Sequence, residues 1–194
     1  MDLDYQILKK ECGKVVWRCP YYKRWCKILD RCYNKRNLED NPTYNDVYVC
    51  EEWLTFSNFK RWMENEVWEL PDGTVLHIDK DLLVRGNKVY SPDTCTFLHP
   101  KVNNFMTECK LSKPSNEIGY KKRVYASGNI KYQARCCNPF RGGTREADTL
   151  GCFVTPEEAH EAWRKRKLHY AELLISEGYT LSILQSEALI RRYN

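Results

Sequence analysis

The segment around His77 combines residue types that could hydrolyse a phosphodiester bond. His77 and Asp79 lie two residues apart in a stretch that alternates like a β-strand, and Asn103 follows in a stretch with helical character. A neutral histidine at a strand end can take a proton from water, and a carboxylate or amide oxygen can hold one Mg²⁺ that stabilises the leaving oxygen. Asp79 should project on the same side of the strand as His77. The segment therefore predicts one-metal phosphodiester hydrolysis, and an isolated, exposed strand histidine is the alternative.

Positive charge accumulates in the second half of the chain. The net charge of the chain is +5, and residues 113–150 carry that whole excess, with eight basic and three acidic side chains. Such a cluster is typical of a domain that binds the phosphate backbone of a nucleic acid. A solvated basic surface without a partner is the alternative.

The elements before His77 are expected to be mostly helical. Apolar residues recur at helical spacing over residues 22–32, and Ser57 can cap a second helix. A short strand is expected at 47–49. Five tryptophans of this half are expected in the core: Trp17, Trp25, Trp53, Trp62 and Trp68.

A strand–loop–strand–helix unit is expected to position His77. Alternation predicts strands at 74–78 and 88–90, and a short helix follows at 100–106. His77 then lies late in the first strand of this unit, and Asn103 lies in its helix.

The C-terminal part has the clearer pattern. Alternation predicts three strands, at 118–125, 130–137 and 150–154. Thr155 begins a helix as the N-cap, because proline and two glutamates follow it and complete a capping box. The helix ends near Ser176, and a final short helix follows.

We therefore expect an α+β protein of two domains. Residues 1–111 form a helical domain that contains the unit around His77. Residues 112–117 are polar, include a proline and form a linker. Residues 118–194 form a three-stranded antiparallel sheet packed on one helix, with a C-terminal helix after it.

Composition excludes several classes of protein. The 194 residues are 42% hydrophobic and 29% charged, which is typical of a folded chain. No apolar run approaches the ~20 residues of a membrane-spanning helix, and the acidic N-terminus lacks the apolar region of a secretory signal. We therefore expect a cytoplasmic protein with no membrane partner.

The ten cysteines include no Cys-x-x-Cys pair, so we expect buried, reduced thiols and no zinc. A zinc cluster of the four N-terminal cysteines is the alternative: Cys12, Cys19, Cys26 and Cys32.

Three sequence features around His77 occur in a familiar order. His-Ile-Asp at 77–79 is followed by Tyr-Ser-Pro-Asp-Thr-Cys at 90–95, and Asn103 falls nine residues after the threonine. Together they resemble the HNH (ββα-metal) motif of phage-encoded homing endonucleases. The resemblance covers residues 17–106 in pieces.

The resemblance implies that His77 activates water and that Asn103 holds one Mg²⁺ or Mn²⁺ per chain. Asp79 is a further candidate ligand. One site per chain implies that the enzyme nicks one strand, or cuts both strands as a dimer. Two positions depart from the family pattern. Leu76 stands where many members carry a metal-ligating aspartate, and Thr94 replaces the asparagine that braces the turn.

A second set of motifs covers residues 118–175. Lys-Tyr-x-Ala-Arg at 131–135, Leu-Gly-x-Phe at 150–153 and Pro-Glu-Glu-Ala at 156–159 follow one another in this order. They resemble the three-strand-plus-helix DNA-binding domain of plant ethylene-response factors (the APETALA type), which phage homing endonucleases often carry after the HNH unit. The resemblance implies a sheet that enters the major groove of double-stranded DNA.

Basic residues on the strands are the implied DNA contacts: Lys121, Arg123, Lys131 and Arg135. Arginine suits guanine through two parallel hydrogen bonds, and lysine more often binds phosphate. Arg141 and Arg145 lie in a loop that is longer than usual, and we expect them to contact the DNA backbone or to be solvated. The cations at 164–167 are expected to face solvent.

Three functions stay open. The leading hypothesis is a phage-type site-specific endonuclease that acts in the host cell cytoplasm. The second is a catalytically degenerate HNH-like DNA-binding protein, which Leu76 and Thr94 favour and which His77 and Asn103 oppose. The third is a phage factor whose basic surface binds and inhibits a host protein.

Overall fold

The computed structural model describes residues 2–107, 119–141 and 147–194 of the chain. Over these residues the chain mixes helices and strands, so the prediction of an α+β protein is confirmed. The chain divides into two compact units, Met1–Phe97 and Leu98–Asn194. The predicted linker at 112–117 lies outside the described residues.

No helix in the described part of the chain is both long enough and apolar enough to span a bilayer.

Short paired strands and three helices build the first unit. Its elements are, in chain order, β1 (Leu8–Glu11), β2 (Lys14–Arg18), α1 (Tyr22–Tyr33), α2 (Lys35–Asp40), β3 (Tyr48–Val49), α3 (Phe56–Asn65), β4 (His77–Asp79) and β5 (Val89–Tyr90), with β6 (Thr96–Leu98) at its end. Short 3₁₀ turns lie at Pro42–Tyr44 and Glu52–Leu54. β1 pairs with β2 in an antiparallel hairpin, and β3 pairs with β5 in parallel.

The strand that carries His77 has a partner that the sequence did not indicate. The segment at 88–90 forms a strand, as expected, but this strand pairs with β3. β4 pairs instead with β6. A two-residue strand carries too little pattern to select its partner, so tertiary packing decides the pairing.

Aromatic side chains form the core of the first unit. α1 buries one face, which includes Trp25 and Leu29, as its spacing predicts. Trp53 and Phe59 are completely buried, and the Trp25 Nε1 group donates a hydrogen bond of 2.7 Å to the Trp53 carbonyl. Trp17 is an exception to the expected core, because it lies exposed on the β1–β2 hairpin.

A three-stranded sheet and helices build the second unit. Its elements are α4 (Pro100–Met106), β7 (Tyr120–Val124), β8 (Ile130–Cys137), β9 (Ala147–Phe153), α5 (Pro156–Ser176) and α6 (Ile183–Tyr193). The sheet is antiparallel with the order β7-β8-β9, and α5 packs against it. β9 begins three residues earlier than the alternation predicts.

The close approach of Gly119 to α5 positions the start of β7. Gly119 has φ +89, and a Cβ there would lie 2.1 Å from Cγ of Trp163. Only glycine fits this position, because any side chain would overlap the buried indole. The edge strand can therefore lie directly on the helix.

Lys167 corrects the expectation that the cations at 164–167 face solvent. It is 3% exposed, and its ammonium donates a hydrogen bond of 2.6 Å to the Phe105 carbonyl, in the last turn of α4. The ammonium also lies 4.0 Å from the centroid of the Phe105 ring. The last carbonyls of a helix lack an intrahelical partner. This hydrogen bond therefore satisfies both the Phe105 carbonyl and the buried ammonium of Lys167.

The cap of α5 supports a stability prediction. The Thr155 hydroxyl accepts a hydrogen bond of 3.2 Å from the Glu158 amide, and the Glu158 carboxylate accepts one from the Thr155 amide. We expect Thr155→Ala to lower the free energy of unfolding by about 1 kcal/mol. Thr155→Ser keeps the oxygen and should stay close to wild type. Urea unfolding followed by far-UV circular dichroism measures both, and an equal loss in the two variants would contradict the cap as the cause.

Candidate functional site

His77 begins β4 and is exposed. Partial burial of the imidazole, and then the positive charges of Arg31, Lys27 and Arg24 on α1, lower the pKa of His77 below its usual value. A lowered pKa favours the neutral imidazole near pH 7, and this is the form that accepts a proton. The local charge therefore suits His77 to act as a general base.

Leu76 cannot be exchanged simply for the acidic residue of the family pattern. It is 2% exposed and belongs to the aromatic core, and its amide donates a hydrogen bond of 2.9 Å to the Trp68 carbonyl. Successive residues of a strand point to opposite faces. Leu76 therefore anchors the strand in the core, and His77 is directed out of it.

Asp79 stabilises the turn that follows β4. Its Oδ1 atom accepts hydrogen bonds from the amides of Asp81, at 2.9 Å, and Leu82, at 2.7 Å. Burial raises the pKa of Asp79, although these two hydrogen bonds oppose the shift. These hydrogen bonds engage Oδ1, one of the two carboxylate oxygens. The metal-binding role of Asp79 stays a prediction.

The turn before β6 keeps a brace despite the loss of the family asparagine. The Thr94 hydroxyl donates a hydrogen bond of 2.9 Å to the Val89 carbonyl and lies 2.9 Å from the Ser91 hydroxyl. The amides of Thr94 and Cys95 both bond to the Ser91 carbonyl. The expectation that Thr94 leaves the turn without a brace is therefore wrong, because a hydroxyl can make these short local bonds.

Asn103 lies on α4, in the second unit, and is half-buried. Its amide oxygen is a donor type that Mg²⁺ accepts, and Mg²⁺ is commonly held by one or two protein oxygens together with substrate phosphate and water. Within residues 2–107, 119–141 and 147–194, no group of three or more His, Cys, Asp or Glu side chains is placed to hold a metal ion. The amide oxygen of Asn103 and the carboxylate of Asp79 are both donor types for Mg²⁺, and both ligand assignments stay predictions.

The four predicted DNA contacts on the strands share one face of the sheet. Lys121 lies opposite Gln133, and Arg123 lies opposite Lys131, so each pair points to the same side. Arg135 follows Gln133 by two residues and joins that side. All four basic side chains are exposed. The sheet therefore presents a basic face, formed by Lys121, Arg123, Lys131 and Arg135.

The opposite face of the sheet is apolar and faces α5. Ala134 and Cys136 of β8 alternate with the basic residues and are almost completely buried. On the basic face, Arg123 Nε and Nη2 donate to Gln133 Oε1 at 3.1 and 2.8 Å. Like charges directly opposite each other, as at Arg123 and Lys131, are unfavourable without a counter-charge. Such a surface is suited to a polyanion.

Arg141 forms an ion pair on the helix side of the sheet and is not part of the basic face. Its guanidinium lies 3.0 Å from Asp148 Oδ1, and Arg166 lies 3.2 Å from the other oxygen. The Tyr170 hydroxyl also donates to Asp148, and this bond, followed by the two arginines, holds the pKa of Asp148 below its usual value. Arg141 therefore has an acidic partner within the unit. Arg145 lies outside the described residues.

The cations of α1 are the residues near His77 that sequence reasoning missed. Arg24, Lys27 and Arg31 are spaced by three and four residues, which places them on one side of a helix. This signal is readable in the sequence. The spacing alone does not indicate that this side of α1 faces the region of His77.

Comparisons with known proteins give no relative for this chain: no family model matches it, and no curated protein or solved structure is significantly similar to it.

The Thr94 brace supports a second stability prediction. We expect Thr94→Val to lower the free energy of unfolding of the first unit by about 1 kcal/mol, because it removes the hydroxyl and keeps the volume. Thr94→Ser keeps the hydroxyl and is the matched control. Chemical denaturation followed by tryptophan fluorescence measures both. A serine variant that is less stable than the valine variant would mean that the methyl group, not the hydrogen bonds, is what stabilises the turn.

Proposed function

We propose that the chain is a phage-type, site-specific DNA endonuclease that nicks one strand of a duplex bound by its C-terminal sheet. The observation that carries this proposal is the setting of His77. An exposed imidazole with a lowered pKa lies close to three cations, on a strand anchored through Leu76. A general base needs the neutral form of the imidazole, and a phosphodiester substrate needs positive charge beside it.

The proposed reaction is hydrolysis of a phosphodiester bond. The neutral imidazole of His77 accepts a proton from a water molecule as the water oxygen attacks phosphorus. The new P–O bond forms while the bond to the leaving oxygen breaks, and the leaving oxygen takes a proton from solvent. A bound Mg²⁺ or Mn²⁺ would supply charge stabilisation at the leaving oxygen. Asp79 has no part in this scheme.

The basic face of the sheet supplies the proposed DNA contact. Four exposed cations lie on two neighbouring strands, and the helix covers the other side of the sheet. The major groove of B-DNA admits a two-stranded β-ribbon, and arginine can pair with guanine through two hydrogen bonds. The Arg123 side chain extends over this face to Gln133, so its guanidinium is held in place before any ligand binds.

Removal of charge from the basic face should weaken DNA binding. We expect Arg123→Ala to lower the affinity for duplex DNA by roughly 5- to 150-fold, corresponding to about 1–3 kcal/mol for a base contact. Lys165→Ala removes one charge from the exposed side of α5 and should leave the affinity unchanged. Fluorescence anisotropy at fixed salt compares the variants. Equal losses in both would point to a general charge effect and against this face.

Nicking activity should depend on His77. We expect His77→Ala to lower the rate of nicking of supercoiled DNA by roughly 10²- to 10⁴-fold in the presence of Mg²⁺ or Mn²⁺. His169→Ala changes an exposed histidine on α5 and is the matched control. Nicking that persists in His77→Ala would contradict the role of this residue.

A second candidate function is DNA binding without catalysis. Two observations favour it: the buried Leu76 leaves no carboxylate before His77, and Asp79 binds its own backbone. Wild-type protein that shifts the mobility of DNA but never nicks it would establish this candidate in place of the endonuclease. Absence of DNA binding at physiological salt would contradict both candidates and leave the inhibition of a host protein.

A further inference from the structure

Three cations form a row along one flank of α1. Arg24, Lys27 and Arg31 follow one another at intervals of three and four residues, beside the face through which α1 enters the core. We call this set the cationic row. Its ends are seven residues apart, so it extends for about 10 Å along the helix axis.

The first end of the cationic row adjoins the strand of His77. The Arg24 guanidinium lies 4.5 Å from the centroid of the Trp68 ring. Trp68 in turn accepts, through its carbonyl, the amide hydrogen bond of Leu76, the residue before His77. Stacking on a tryptophan holds the guanidinium in one place and keeps its charge.

The second end of the row is held by β5. Arg31 Nη1 donates a hydrogen bond of 3.3 Å to the Tyr90 hydroxyl, and Arg31 is half-buried. Lys27 lies between the two arginines and is exposed. The row therefore has two arginines held by neighbouring side chains and one exposed lysine at its centre.

Among the described residues, no carboxylate lies within ion-pair distance of the row, although the charge of Glu69 acts on Arg24 from farther away. The six salt bridges among the described residues involve other cations, and none includes Arg24, Lys27 or Arg31. After partial burial of the imidazole, the charges of Arg31, Lys27 and Arg24 lower the pKa of His77. Ordered cations outside any ion pair favour an external anion.

We propose that the cationic row is a second DNA contact, which binds consecutive phosphates of the backbone and holds the scissile strand against His77. The inference rests on the proposed function, because it takes duplex DNA as the substrate of His77. The row is about 10 Å long, which is well above the rise of one nucleotide along the duplex axis, about 3.4 Å, so it can face more than one phosphate of a strand. Arg24 and Arg31 fix the backbone at two points, and Lys27 adds charge between them.

The row also supplies positive charge in a chain whose Leu76 cannot ligate a metal ion. Charge develops on the phosphoryl oxygens as water attacks, and guanidinium groups that are already in place stabilise it without rearrangement. Arg31 and Arg24 are therefore positioning residues for the phosphate, and His77 is the only residue of this unit to which we assign a proton transfer.

The salt dependence of binding tests the row in the full-length chain. Lys27→Gln is the first variant, since Lys27 is exposed and its replacement should not affect folding. We measure the anisotropy of a short labelled duplex between about 50 and 200 mM salt. The slope of log Kd against log salt should decrease in magnitude by about 0.9 for each phosphate that the variant no longer neutralises. Arg24→Gln together with Lys27→Gln should reduce the slope by about twice as much.

Lys35→Gln is the matched control for this experiment. Lys35 is an exposed lysine at the start of α2 in the same unit, outside the helix that carries the cationic row. Its slope should equal that of wild type. A Lys27→Gln slope equal to that of wild type, or a Lys35→Gln slope reduced as much as that of Lys27→Gln, would overturn the cationic row. Circular dichroism of each variant confirms that it is folded.

The same proteins separate this inference from the proposed nuclease activity. A reduced slope in Lys27→Gln, with no nicking by wild type, would keep the row as a DNA contact and reject the endonuclease. Nicking that depends on His77, with an unchanged slope in Lys27→Gln, would keep the endonuclease and reject the row. If the endonuclease and the cationic row are both supported, the Lys27→Gln variant should nick saturating DNA more slowly than the Lys35→Gln variant.

Discussion

Burial of Leu76 in the aromatic core of the first unit is the constraint on which the candidate site depends. Because side chains alternate along a strand, an inward Leu76 directs His77 outward. The Leu76 amide donates a hydrogen bond to the Trp68 carbonyl, and the Arg24 guanidinium stacks on the Trp68 ring. Trp68 therefore links the segment before His77 to α1. The packing of Leu76 and the orientation of His77 are therefore linked, and an acidic residue in place of Leu76 would place a charge in the core.

In the second unit, one face of the sheet packs against α5, and the other face carries the exposed basic residues. α5 covers the face that carries Ala134 and Cys136, and Gly119 allows the edge strand to approach the buried Trp163. The other face is left to charged side chains, whose mutual repulsion is acceptable where a polyanion binds. On the helix side, Asp148 forms ion pairs with Arg141 and Arg166. Some cations of this unit therefore stabilise the fold, and others form the proposed DNA contact.

Local patterns predicted much of this chain, and contacts between distant residues decided the rest. The capping box at Thr155 and the apolar face of α1 could be read directly, because each depends on residues within a few turns of helix. Lys167 was misjudged, since the Phe105 carbonyl that accepts its hydrogen bond is 62 residues away. The turn bonds of Asp79 could not be predicted for a different reason: its partners are the next amides in the chain, but only the conformation of the turn brings them to its carboxylate.

The sequence by itself determined the mixed α+β character and which residue types could do chemistry, since composition, periodicity and caps are local properties. Only the tertiary structure decided that β4 pairs with β6 and that Thr94 braces the turn. It also decided that the charges of three cations of α1 reach His77 and lower its pKa. The physical reason is that strands of two or three residues carry almost no pairing information of their own, so burial of the aromatic core selects their partners and thereby the surroundings of the histidine.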